Sequence, residues 1–269
     1  MRNTKIKTVL PLQWGEFRGS SLLLENPGRS LAEVHGLQYV HCDMQDPALE
    51  LYRALAEVPP RLAKELAPFQ MCPIPAFSYH VTAMDGINQA NVDQLVQPAR
   101  GEAEKFLAGL PDSAYAPVPE WFPSPVVSLE QPWTLRLRFQ RLDIRTHSAD
   151  LVALLEPADA ESEQWMALIR AERIEREQPM VDRGKTPNLA DWTPHLTLGY
   201  FFESELAASA RPYLEPWNKA ASELAAGRLF RSSSISLFSF VDMKTFFRHP
   251  LPAMIVHKKT IDRKLSIAT

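Results

Sequence analysis

Glycine is scarce, with ten in 269 residues, and no stretch is rich in it. Neither GxxxxGK[ST] nor GxGxxG occurs, so the loops that ordinarily cradle phosphate with backbone N–H groups are missing. A chain like this would have to handle phosphate another way. Cysteine is scarcer still: Cys42 and Cys72 cannot build a disulfide framework, and no CxxC spacing marks a metal site. They are expected as reduced, buried thiols of a cytoplasmic protein. There is no HExxH and no carboxylate cluster, and His35 and His41 are too far apart for short-range ligation, so no metal and no cofactor are expected. No apolar run approaches the ~20 residues of a membrane span. The start, MRNTKIKTVLPLQWGEF, is broken by Pro11, Gln13 and Gly15 and makes a poor signal peptide. The formal net charge of −3 excludes a global basic field that would hold nucleic acid or membrane. A small nucleotide or an RNA end could still bind in a local basic cleft.

What is present is an ordinary soluble composition, 45% apolar and 23% charged, long enough for one large domain or two small lobes. Residues 1–34, with Pro11, Gly15, Gly19, Pro27 and Gly28, read as an irregular N-terminal extension. Strands are expected at 36–42, 75–84, 133–144, 194–201, 234–243 and 253–261. Helices are expected at 46–58 and 61–69, at 91–110 (weakened by Pro98 and Gly101), at 148–177 with an interruption near Pro157, and in pieces over 204–227. A proline-rich connection covers 111–125 and a polar loop 179–194. The alternation implies an α/β or α+β chain. Residues 35–260 read as one bilobal domain, with lobe one around 75–84 and lobe two around 194–201, and 261–269 as a tail. The chain is expected to act as a monomer.

Two stretches carry chemistry. "HVTAMD" begins at His80 and "HLTLGY" at His195, each on a strand followed by a helix and another strand. Side chains at i and i+2 share a strand face, so His80 points with Thr82 and His195 with Thr197. If the two strands meet, two imidazoles and two hydroxyls share a cleft. One neutral imidazole can take a proton from water or a ribose hydroxyl, and the other, protonated, can give one to the leaving oxygen. The threonine hydroxyls can donate to the non-bridging phosphate oxygens. A single HxT is a chance pattern. Two copies on expected strands, 115 residues apart (195 − 80), are a specific signal.

"YHVTAM" and "PHLTLGYF" resemble the paired His-x-Thr/Ser motifs of the two-histidine (2H) phosphoesterase superfamily, and "SISLFSFVDMKTFF" resembles its C-terminal strand and aromatic turn. The resemblance spans roughly residues 35–260 and points to a bacterial branch. It implies a bilobal, pseudo-twofold α+β fold, with two antiparallel sheets lining a central cleft and helices outside. It implies His80, Thr82, His195 and Thr197 as catalytic residues. The implied activity is metal-independent hydrolysis of a 2′,3′-cyclic phosphate or a related nucleotide or RNA phosphoester. The alternative is a non-catalytic nucleotide- or RNA-end-binding module on the same fold, and a weaker one is a metal hydrolase recruiting His41 or another scattered histidine. Which histidine is acid and which is base stays open.

Further substrate contacts are expected from three strands. Arg136 and Arg138 lie opposite the apolar Leu135, Leu137 and Phe139, and could clamp phosphate or simply face solvent. Phe238 and Phe240 could stack on a base or belong to the core. Tyr39 is a candidate contact on the first strand, beside a structural His41. Arg183 and Lys185 could form a basic loop over the site or a solvated one.

Overall fold

The computed structural model describes residues 1–9, 11–26, 28–115, 118–122, 133–187 and 192–249. The expected strand at 253–261 and the tail at 261–269 lie outside them. Thirteen strands are described: β1 (Ile6–Lys7), β2 (Gln13–Trp14), β3 (Gly19–Glu25), β4 (Leu31–Val34), β5 (Leu37–Val40), β6 (Met71–Pro73), β7 (Val81–Asn88), β8 (Leu135–Arg145), β9 (Asp150–Pro157), β10 (His195–Phe201), β11 (Leu229–Ser232), β12 (Ser234–Asp242) and β13 (Thr245–Arg248). The α-helices are α1 (Glu50–Ala56), α2 (Val58–Arg61), α3 (Ala63–Leu66), α4 (Ala99–Ala108), α5 (Ala160–Val181), α6 (Ser204–Ala210) and α7 (Leu214–Ala225).

The architecture is α+β and antiparallel. One half of the sheet runs β11-β8-β9-β10 and the other β7-β3-β12-β13-β5-β4. The halves join through a single pair, Leu196 of β10 opposite Val81 of β7. Beyond that pair the strands part, and β6 takes the same edge of β10 at Gly199–Phe201. Helices α1 and α7 pack over β8 and β11, and α5 reaches β7, β8 and β9.

Several elements differ from expectation, each for a physical reason. The segment 1–34 is not an irregular extension. It holds β1 to β4, and β3 is a central strand between β7 and β12. Its sequence, GSSLLLE, is buried on both faces except at Glu25. A strand covered on both faces loses the period-two signal, and the flanking breakers disguise it. Gly19 is required there by packing, since a Cβ would sit 2.2 Å from the Phe240 ring. The stretch expected to be helical from 148 instead opens with β9, an apolar run that is buried along most of its length and pairs with β8 and β10. The helix begins after Asp159, whose side chain accepts from the Ser162 N–H. Finally, the two expected strand–helix–strand units exchange their last strands. The 135–145 strand lies in the half of His195, and the 234–242 strand in the half of His80.

Candidate active site

The junction of the halves is where the two motifs meet. Leu196 and Val81 sit opposite each other and are fully buried on the core face. Each follows its histidine by one residue. Carrying that antiparallel register one step either way sets His195 across from Thr82 and Thr197 across from His80. All four side chains therefore belong to the face opposite the core. All four line one cavity of about 810 Å³.

The two imidazoles are held alike. Nδ1 of His80 lies 2.8 Å from the carbonyl oxygen of Ser78, and Nδ1 of His195 lies 3.0 Å from that of Thr193. In both, the partner is two residues upstream. An Nδ1–H donating to a carbonyl leaves Nε2 as the second nitrogen to take up or give a proton. The backbone of Thr82 is anchored by Trp192, whose Nε1–H donates to the Thr82 carbonyl at 3.0 Å. Among the described residues neither threonine hydroxyl has a protein hydrogen-bond partner, which leaves both available to a ligand.

The electrostatics of the cavity disfavour a charged imidazole. Burial lowers the pKa of His80 to about 4; the charge of His195 adds to this, while the Ser78 carbonyl and Asp85 oppose it. His195 is lowered too, by burial and then by the adjacent charge of Arg145. The cavity wall is otherwise cationic in balance. Arg2, Lys5, Arg141, Arg145 and Arg173 line it together with Asp85, Asp143 and Asp150. An anionic ligand is the better electrostatic match.

The secondary candidates fare unequally. Phe240 lines the cavity, packed against Phe17 at 6.0 Å and Phe246 at 4.9 Å. Phe238 does not; it is buried in the core. Tyr39 does not reach the cavity either. It packs edge-on against Phe247, and β13, β12 and β3 separate its strand from β7. Arg136 is ion-paired with Asp159 and Glu161, at 2.7 and 2.6 Å, and Arg138 with Glu156 at 2.8 Å. Both lie outside the cavity. They share the non-core face of β8 with the site but lie beyond it along the strand, next to the start of α5. Between them and the site is a β-bulge, in which Phe139 and Arg141 flank one extra residue, Gln140, against Leu155 and Leu154 of β9. The bulge shifts the alternation, so the cavity is met by Arg141, Asp143 and Arg145 further along the same strand. Arg183 and Lys185 are also away from the site. Arg183 lies over the Trp121 ring and Lys185 is buried in an ion pair with Glu177.

Sequence reading missed Arg145 and Asp150, which face each other across the β8–β9 hairpin. Asp150 is fully buried and accepts from Arg145 Nε at 3.0 Å, from a second Arg145 nitrogen, and from Ser148 Oγ at 2.7 Å. Burial pushes its carboxyl up, but Arg145 outweighs that and holds it below the usual range. Arg173 of α5 was missed as well; its guanidinium lies over the Trp192 ring at 5.1 Å. The only sequence signal was an alternation that resumes after Gln140. Cys42 and Cys72 are buried free thiols pushed up to about 12 and about 11, and stand outside the site. Among the described residues, no three His, Cys, Asp or Glu side chains converge as a metal site needs, and no helix is long and apolar enough to cross a membrane.

No protein-family model matches the chain, and no curated protein sequence matches it. Among solved structures it is similar to a conserved protein of unknown function from Agrobacterium tumefaciens, at 16% identity over 87% of this chain and 85% of that one, with a TM-score of 0.46. It is also similar to Usb1 of Kluyveromyces marxianus, at 11% identity over 93% of this chain and 99% of that one, TM-score 0.37. The same Usb1 with uridine monophosphate matches at 11% identity, covering 88% and 98%, TM-score 0.37.

Proposed function

We propose that this chain is a phosphodiesterase of the two-histidine kind that hydrolyses a 2′,3′-cyclic phosphate or a related nucleotide or RNA phosphoester. His80 and His195 form the proton-transfer pair, and the hydroxyls of Thr82 and Thr197 donate to the non-bridging phosphate oxygens. One observation carries the reading. The Leu196–Val81 pair brings the two motifs, 115 residues apart, into adjacent register, with both imidazoles anchored through Nδ1. A merely structural histidine needs neither a second copy nor a cationic cavity. The two sides of that register let one imidazole serve the attacking oxygen and the other the leaving oxygen of an in-line displacement. A cavity of about 810 Å³ is in the range of small-molecule and cofactor sites.

The test is a panel of 2′,3′-cyclic nucleotides and short RNAs, including RNAs with cyclic-phosphate ends, with wild type, His80→Ala and His195→Ala, each with and without EDTA. Turnover that survives EDTA and is lost in both variants is the expected result. Wild-type rates in either variant overturn the reading. Calorimetric binding of AMP with no turnover of any panel member points instead to a binding module. Activity lost on chelation and restored by one metal points to a metal hydrolase.

A further inference from the structure

The two histidines share a backbone anchor but not their neighbours. Arg145 Nη1 lies 3.0 Å from Nε2 of His195, while the other guanidinium nitrogens grip the buried carboxylate of Asp150. We infer that Arg145, held by Asp150, keeps His195 as the neutral Nδ1–H tautomer until substrate binds, which makes His195 the base and His80 the acid. This assignment rests on the catalytic pair proposed above.

A guanidinium has only donors and stays protonated. A contact between Arg145 Nη1 and His195 Nε2 therefore requires Nε2 to accept, and the imidazole proton must sit on Nδ1, facing the Thr193 carbonyl. Protonating Nε2 would set N–H against N–H and cation against cation. Arg145 cannot easily turn away, because Asp150 is fully buried and bonded to it twice, with Ser148 completing the carboxylate. The other charged and titratable groups around the pair are Asp85 of β7, Lys5 near Asp150, the Tyr200 hydroxyl near Arg145, His80 itself, and Arg173 beside Asp85, with Arg2, Arg141, Asp143 and His147 also on the cavity wall. Asp150 and Asp85 favour a charged His195, yet burial and Arg145 outweigh them. The His80 ring packs against Phe246 with centroids 4.1 Å apart, and its titratable neighbours are His195 and Asp85. A bound phosphate anion favours its protonated form.

The step then balances as follows. A non-bridging oxygen takes over Arg145 Nη1, freeing His195 Nε2. His195 Nε2 removes a proton from water as the water oxygen bonds to phosphorus. The phosphorus–oxygen bond to the sugar breaks, and that oxygen takes the proton from His80 Nε2. His195 returns its proton to solvent, and His80 regains one.

Imidazole ¹⁵N NMR titration of the full-length protein tests this without any substrate, with His195 assigned from His195→Gln. Wild-type His195 is expected as the Nδ1–H tautomer at pH 7, titrating below the ordinary histidine value. In Arg145→Met its midpoint rises by about one pH unit. Arg145→Lys, which keeps the charge, stays near wild type. Should Arg145→Met fail to fold around an unpaired Asp150, Arg145→Met with Asp150→Asn removes both charges and gives the same readout. An Nε2–H tautomer in wild type, or an unmoved midpoint in the variant that folds, overturns the inference. With 2′,3′-cyclic AMP as probe, the acidic limb of kcat/KM should move up with that midpoint; a limb that stays put overturns the base assignment. Absence of all turnover would sink the proposed function but leave the NMR result to judge Arg145 on its own.

Discussion

His80 and His195 begin alike and end in different company. Each precedes a buried residue of the Leu196–Val81 pair, and each donates from Nδ1 to a carbonyl two residues back. One then meets an aromatic ring, Phe246, and the other a guanidinium locked to a buried carboxylate. The local motif sets where each imidazole points. The surrounding half of the sheet sets how readily it holds a proton, because a charge at hydrogen-bond distance in a desolvated site shifts that equilibrium strongly.

The comparison can be broken first at its shared part. His80→Ala and His195→Ala should each lower turnover of the panel substrate by about 10³-fold with little change in melting temperature, as expected for loss of a general acid or base. A large loss in only one variant would mean that the two sites are not partners. Next comes the part that differs. Asp150→Ala should lower stability by about 3 kcal/mol, because it strands a part-buried Arg145. Chemical denaturation checks this. Thr82→Val and Thr197→Val should each reduce kcat by about 10²-fold with KM less affected, if each hydroxyl serves the transition state.

A pH scan sharpens the comparison further. The folded-state pKa of His80 is about 4, below its ordinary 6.5, so the unfolded chain takes up the proton first as pH falls. Stability should drop as pH moves from about 6.5 toward 4, by about 2 kcal/mol for this group after allowing for its part exposure. His80→Gln should flatten the drop, as read from melting temperature against pH; a drop of full size in His80→Gln would contradict the assigned shift. The smallest effect is expected at Arg136→Ala and Arg138→Ala. These arginines sit in exposed, solvent-screened ion pairs, so neither the turnover rate nor the melting temperature should change measurably.

The legible parts of the chain were those whose side chains alternate in polarity. β8, β10 and β12 all fall on such stretches; in β10 Leu196 and Leu198 are buried while His195 and Thr197 stay part-exposed, and β12, though buried on both faces, places serines among its apolar residues. β3 and β9 were illegible because they are covered on both faces and their apolar runs, LLL and LVALL, do not alternate, so β9 resembles a buried turn of helix. Arg145 was missed through Gln140, since a bulge of one residue redirects every later side chain on its strand.

The sequence by itself determined the two His-x-Thr pairs and, through the strand period, that each histidine shares a face with its threonine. The chemistry of four such groups follows from residue type alone. Only the tertiary structure decided that the two strands are antiparallel neighbours, that their last strands are exchanged between halves, and that a salt-bridged arginine reaches one imidazole and not the other. Those outcomes depend on pairings between residues far apart in the chain, which no local pattern encodes.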